Sequence, residues 1–174
     1  MKTQLPVMKA QQPDRDTLKK LIADHHFFRG MNPDFLPFLA SAATFVEYEP
    51  QQLIFNEAAE ADHFYLINWG CVGLEAHVPL KNSVTVQRIG NGEALGWSWF
   101  FAPHSWRFSA RTLDATEVIE FDAKALREYA DQNHDFGYDL LVRMGQVIRD
   151  RLQSTRELLM DYCVDDPNEN ASAE

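Results

Sequence analysis

The residues best suited to chemistry lie between Gly92 and Arg111, in the stretch GEALGWSWFFAPHSWRFSAR. Gly96 would let a ligand approach the backbone closely, and a helix opening at Trp97-Ser98-Trp99 would offer free N–H groups to an anion. Aromatic side chains crowd the same stretch, and they could stack on a flat ligand or fill the space it needs: Trp97, Trp99, Phe100, Phe101, Trp106 and Phe108. The pattern leaves both alternatives open.

The sequence lacks the patterns of a metal site and of a hydrolase nucleophile. A metal site with an open position needs two histidines and a carboxylate close together on neighbouring strands. The histidines are not spaced in that way: His25, His26, His63, His77, His104 and His134. A G-x-S-x-G nucleophile motif is also missing. The sequence therefore predicts no metal centre and no enzyme.

Size and charge limit the class of protein further. The 174 residues are enough for one domain, and 26 acidic against 16 basic residues leave a net charge of −10. A nucleic-acid-binding surface is normally basic, because its affinity depends on neutralising phosphates. The sequence contains no apolar run long enough for a membrane span and no signal peptide. We therefore expect a cytoplasmic protein that binds neither DNA nor membranes by itself.

The spacing of apolar residues divides the chain. Residues 1–13 are polar and predict a flexible arm, and the domain is predicted over residues 14–162. Within it, residues 16–43 have helical spacing. Residues 44–122 change to a period near two, in short runs rich in β-branched and aromatic residues. The loop Pro79-Leu80-Lys81-Asn82 joins two of these runs as a hairpin. This arrangement predicts a mainly β fold, an antiparallel β-roll with flanking helices.

A long helix is predicted over residues 136–162, after a break at Asn133 to Asp135. Its apolar stripe has a period close to the 3.5 of a coiled coil and indicates a homodimer helix: Leu141, Met144, Ile148, Leu152, Thr155, Leu159 and Tyr162. The alternative is a helix that packs only on its own roll. Residues 163–174 are acidic and are predicted to be a disordered tail.

The order of these elements resembles the cyclic nucleotide-binding domain of the catabolite activator and fumarate–nitrate regulator family. The stretches that carry the likeness are HHFFRGMNPDFLPFLA, YEPQQLIFNEAAEADHFYLINWGCVGL, IGNGEALGWSWFF and RFSARTLDATEVIEFD. The resemblance implies a jelly-roll-like β-roll with a phosphate-binding cassette and a C-terminal dimer helix. By this likeness the candidate cassette residues are Gly92, Glu93, Gly96, Trp97, Ser98, Trp99, Arg107, Ser109 and Ala110.

The cassette departs from the family pattern at its polar positions. Nucleotide-binding members place a glutamate for the ribose hydroxyl directly after the cassette glycine, where this chain has Trp97. Their phosphate-binding arginine corresponds to Arg107, although counting back from ATEVIEF puts Trp106 there instead. A bulge in the loop before it could restore Arg107. Gln51 and Ala58 also replace family glycines, which we expect to alter local turns.

These departures predict a degenerate cassette and a filled pocket, with Trp97 tucked into the roll. The regulators carry a helix-turn-helix domain after the long helix, and residues 163–174 do not resemble one. We therefore expect a sensor or regulatory module that acts through an unidentified protein partner. The alternatives are a genuine domain for cAMP, cGMP or another phosphate-bearing small ligand, and a constitutive dimerisation scaffold. No cofactor is predicted with certainty.

Overall fold

The strands form two four-stranded antiparallel sheets, as the period-two pattern predicts. The computed structural model describes residues 13–77 and 83–164, with side chains described to residue 160. The strands are β1 Ala43–Tyr48, β2 Leu53–Phe55, β3 His63–Trp69, β4 Val72–Ala76, β5 Val84–Ile89, β6 Ala94–Leu95, β7 Ser109–Thr112 and β8 Thr116–Asp122. One sheet has the order β1-β8-β3-β6 and the other β2-β7-β4-β5. The predicted antiparallel β-roll is confirmed.

Four α-helices in the described part of the chain flank the roll. They are α1 Arg15–Asp24, α2 Leu36–Ser41, α3 Ala123–Gln132 and α4 His134–Val164, with a 3₁₀ turn at Pro33–Phe35. None of the described helices is long and apolar enough to cross a membrane. The predicted hairpin loop at residues 79–82, most of the arm and most of the tail lie outside the described residues.

The predicted break at Asn133 to Asp135 is too long. Asn133 alone separates α3 from α4, because its N–H donates to the Tyr129 carbonyl and its side-chain oxygen accepts from the Phe136 N–H at 3.1 Å. One residue therefore caps both helices. His134 and Asp135 belong to α4, and the helix continues to Val164, beyond the predicted end at residue 162.

The core has two apolar layers, one on each face of the β1-β8-β3-β6 sheet. On the helix side, the Phe64 ring contacts Phe121 at a centroid distance of 5.8 Å, and Phe121 contacts Phe28 at 5.4 Å. On the opposite face, inside the roll, Tyr65 contacts Phe55 at 5.7 Å. Successive residues of β3 thus supply both layers, because strand side chains alternate between faces.

The turns at Gln51 and Ala58 are not altered as expected. Both residues adopt φ of 65°, the left-handed conformation that favours glycine. The surrounding hydrogen bonds hold them there: the Gln51 N–H donates to Thr112 O at 2.9 Å, and the Ala58 N–H to Trp106 O at 2.9 Å. The backbone therefore keeps the positive φ although the glycine is gone.

The predicted stripe on α4 divides between two environments. Met144 is fully buried in this chain's own core, whereas Leu141, Leu152 and Leu159 are 48%, 70% and 61% exposed. Ile148 is half-buried, Thr155 is exposed, and the Tyr162 side chain lies outside the described residues. The residues that pack α4 on the domain form a neighbouring stripe: Phe136, Leu140, Met144, Val147 and Arg151. The dimer helix stays a prediction.

Candidate functional site: the cassette and the roll interior

The cassette begins at a tight turn against β3. The Gly92 N–H donates to Ile67 O at 2.8 Å, and the Ile67 N–H donates to Glu93 O at 3.0 Å. The Glu93 carboxylate accepts from the Gly90 N–H at 2.6 Å and lies 3.5 Å from the Arg151 guanidinium. Glu93 therefore supports the turn and faces away from the interior of the roll. Gly96 follows β6 with φ of 78°.

The predicted helix at Trp97-Ser98-Trp99 is wrong. A turn forms instead, closed by the Phe100 N–H and the Trp97 carbonyl at 3.0 Å. The Trp99 ring is fully buried on the helix side of the sheet, 4.8 Å from Phe64 between ring centroids, and the chain turns to place it there. No helix N-terminus is therefore available at the cassette for an anion.

Trp106 and Arg107 lie in different environments. Trp106 is only 3% exposed, and its ring stacks on Phe55 at 3.8 Å with an interplanar angle of 9°. Arg107 is exposed. Hydrogen bonds with Ala59 O at 2.9 Å and with the Ala58 N–H hold the Trp106 backbone in place. The side chain buried in the roll interior at this point is an indole.

Trp106 also uses the space that Gly96 provides. A Cβ atom at Gly96 would lie 2.5 Å from Cζ3 of the Trp106 ring, closer than van der Waals contact allows. The space that remains is about 50 Å³. Small-molecule sites occupy roughly 300–1,000 Å³, and one water takes about 30 Å³. The close approach that glycine permits is therefore made by a side chain of the protein itself.

The predicted cassette residues are only partly brought together. Gly96, Trp97, Ser98 and Arg107 line the residual cavity with Trp106 and Arg151. Trp97 is half-buried at its edge, so Trp106 rather than Trp97 is tucked into the interior. The other predicted residues do not line the cavity: Gly92, Glu93, Trp99, Ser109 and Ala110. The Ser109 hydroxyl accepts from the Glu57 N–H at 2.9 Å.

Two helix arginines at this site were missed by sequence reasoning. Arg127 of α3 donates to Trp99 O at 2.6 Å, and Arg151 of α4 donates to Ala94 O at 3.1 Å. Burial lowers the pKa of the Arg151 guanidinium, and nearby Glu93 partly opposes that shift. Arg151 continues the stripe that packs α4 on the domain. Its helical spacing from Met144 and Val147 could have predicted from the sequence that Arg151 faces the domain.

Comparison with known proteins decides the family. The model of the cyclic nucleotide-binding domain matches residues 45–133, about half of the chain. The chain belongs to this family. No curated protein matches the sequence of this cyclic nucleotide-binding domain. The resemblance inferred from the sequence is therefore confirmed at the level of the domain family.

Solved structures share the fold. A cyclic nucleotide-binding domain from Methylobacillus flagellatus has a TM-score of 0.74 and 17% identity, covering 84% of this chain and 85% of that one. The sensor domain of the transcriptional regulator DNR from Pseudomonas aeruginosa scores 0.65 with 18% identity, covering 80% and 93%. The N-terminal domain of a Streptomyces coelicolor transcriptional regulator scores 0.60 with 16% identity, covering 80% and 94%.

Proposed function

We propose that this domain is a non-enzymatic regulatory module whose nucleotide site is occupied by its own Trp106 side chain. The observation that carries the proposal is the Trp106 ring itself, which is stacked on Phe55, in contact with Gly96, and buried in the roll. A ligand must displace this ring before it can enter. Burial of a large apolar side chain contributes roughly 1.5–3 kcal/mol, which opposes displacement.

The polar chemistry of nucleotide recognition is also replaced. The family likeness puts Trp97 where a carboxylate would accept the ribose hydroxyl and Trp106 where a guanidinium would meet the phosphate. An indole has one N–H donor and no acceptor. Each lost hydrogen bond to a charged group weakens binding by roughly 1.5–3 kcal/mol. We therefore expect dissociation constants for cAMP and cGMP on the order of 0.1 mM or weaker.

Titration calorimetry with cAMP and cGMP tests the proposal. Low-micromolar binding by the unaltered protein would overturn it. The double variant Trp97→Glu, Trp106→Arg should gain affinity, because it reinstates the carboxylate and the guanidinium. Trp69→Arg is the matched control, since it makes the same exchange at a tryptophan that is 63% exposed and lies on β3 outside the cavity. The control should not change nucleotide binding.

A genuine small-ligand sensor is the second candidate. Two observations favour this candidate. The cassette backbone keeps φ of 78° at Gly92 and Gly96. Arg107 and Arg151 line the residual cavity. A ligand that moves Trp106 aside could use both guanidinium groups. Thermal unfolding with cAMP, cGMP and inorganic phosphate tests this, because a ligand at 100 times its dissociation constant adds about 2.7 kcal/mol of stability. No shift in melting temperature with any of these probes would argue against it.

The output of the module is proposed to be a protein contact made by a homodimer. Support comes from the exposed leucines Leu141, Leu152 and Leu159, which share one face of α4 that the domain leaves exposed. Leu152→Glu with Leu159→Glu should yield monomers in light scattering if the unaltered protein is dimeric. Met160→Glu is the control, since this exposed residue lies on a different face of α4. A monomeric unaltered protein would contradict both this output and a constitutive dimerisation scaffold.

Action through protein rather than DNA is supported by the net charge of −10. Binding to phosphates requires clustered lysine and arginine side chains. A mobility-shift assay at physiological ionic strength should show no complex with duplex DNA. A complex that weakens as salt is added would overturn this part of the proposal.

A further inference from the structure

Two arginines hold the cassette from the helices, one on each side of Gly96. Arg151 donates to the carbonyl of Ala94, before the glycine, and Arg127 donates to the carbonyl of Trp99, after it. Both acceptors are main-chain atoms. These two hydrogen bonds therefore depend on the path of the cassette backbone.

Arg151 is the more unusual of the two residues. Among the described residues, no other lysine or arginine is as buried, and only 8% of its surface is exposed. Removing a guanidinium from water is costly unless polar partners replace the water. Ala94 O is one partner, and the Glu93 carboxylate at 3.5 Å is another. Both partners belong to the cassette, so the arginine is stable there only while the cassette keeps this path.

Arg151 lies where α4 changes from buried to exposed. Arg151 ends the stripe through Phe136, Leu140 and Met144 that packs the helix on the domain. Every described residue after it, from 152 to 160, is exposed. Arg151 is therefore the last buried residue in the described part of α4, at the boundary between a docked half and a solvated half.

We infer that Arg151 is a positioning residue that couples the conformation of the cassette to the docking of α4. Arg151 supplies this link without any ligand. The inference rests on the proposed function only in assuming that α4 carries the output. Arg151 lines the residual cavity together with Trp106 and Gly96. Because both residues line this cavity, movement of the Trp106 ring would change the space beside Arg151. The exposed stripe on α4 would then respond to the state of the roll interior.

Hydrogen–deuterium exchange of the full chain tests the link. Arg151→Met keeps an unbranched side chain but removes the charge and the donors. Exchange of residues 145–160 and of the cassette should rise at least about tenfold, the factor expected from losing a hydrogen bond to a charged group. Arg156→Met is the matched control, because Arg156 is exposed on the same helix. It should leave the cassette unchanged.

A double-variant comparison separates coupling from simple destabilisation. Trp106→Leu should raise exchange of residues 145–160 in the unaltered background and add little once Arg151→Met is present. Exchange of β8 measures global opening, so the ratio of α4 to β8 exchange is the quantity compared. An unchanged ratio in Arg151→Met, or additive effects of the two substitutions, would overturn the inference. Nucleotide titration tests the proposed function separately, since tight cAMP binding would overturn that proposal and leave the exchange result standing.

Discussion

Two pairs of turns in the roll use the same backbone conformation with different residues. Gly70 and Gly96 have φ of 97° and 78°, whereas Gln51 and Ala58 both have 65°. At Gly70, an added Cβ would lie 2.6 Å from Ala115 O, and at Gly96 it would lie 2.5 Å from the Trp106 ring. Gln51 and Ala58 are exposed. At Gly70 and Gly96, a residue with a Cβ would meet both an unfavourable φ and a steric clash. At Gln51 and Ala58, the Cβ meets only the unfavourable φ.

The difference shows what a tight turn needs from glycine. A left-handed conformation costs a residue with a Cβ roughly 1–2 kcal/mol, which a domain can bear at a few positions. A collision with a fixed neighbour adds roughly 1–3 kcal/mol of strain. Replacement of glycine is therefore tolerable at the open turns and costly at the crowded ones, and the following substitutions test this division.

The largest effect is expected for Gly70→Ala. Its new Cβ would meet Ala115 O and the Cα of Thr116, which are backbone atoms held by the sheet. We expect a loss of about 4 kcal/mol in the free energy of unfolding, near the upper end of single-substitution effects. Urea unfolding measures it. A loss below about 1 kcal/mol would mean that crowding does not distinguish the two pairs.

Gly96→Ala should cost about 2–4 kcal/mol, because its obstacle is the Trp106 ring, which Phe55 holds in place. The same substitution in a Trp106→Leu background should cost only the conformational part, about 1–2 kcal/mol. A double-variant cycle followed by urea unfolding measures the difference. Equal costs in the two backgrounds would contradict the assignment of the clash to Trp106.

Gly92→Ala isolates the conformational cost. Gly92 has φ of 78°, and its nearest neighbour to an added Cβ is His26 Cβ at an ordinary 3.9 Å. The expected loss is about 1 kcal/mol, since alanine also stiffens the unfolded chain and recovers part of the strain. Thermal unfolding should show a decrease of about 2–4 °C in melting temperature. A loss as large as that of Gly96→Ala would argue against the role of space.

The smallest effect has the opposite sign. Ala58→Gly and Gln51→Gly relieve a strained φ at exposed sites, but glycine also gains freedom in the unfolded chain. The balance should stabilise the domain by about 0.5 kcal/mol for each substitution. Glu57→Gly is the control at a neighbouring exposed residue without positive φ, and it should not stabilise. Destabilisation by Ala58→Gly would show that the turn gains nothing from glycine.

Most of the fold could be predicted from the sequence, because its elements are long enough for their periods to show. The strands between Ala43 and Asp122 match the period-two region, and α4 covers the predicted long helix. The candidate site was predicted less well. Gly96, Trp97, Ser98 and Arg107 line the cavity as expected, whereas Trp99 belongs to the opposite face of the sheet and Trp106 fills the interior. In an extended segment, a shift of one residue reverses the direction of a side chain.

The sequence by itself determined the order of elements, the family and the crowding of tryptophans in the cassette stretch, because these depend on residue types and local spacing. Only the tertiary structure decided which tryptophan fills the roll and which arginines hold the cassette. Arg127 is 28 residues from Trp99, and Arg151 is 57 residues from Ala94. Contacts over such separations depend on how the helices pack on the sheets, which local spacing does not encode.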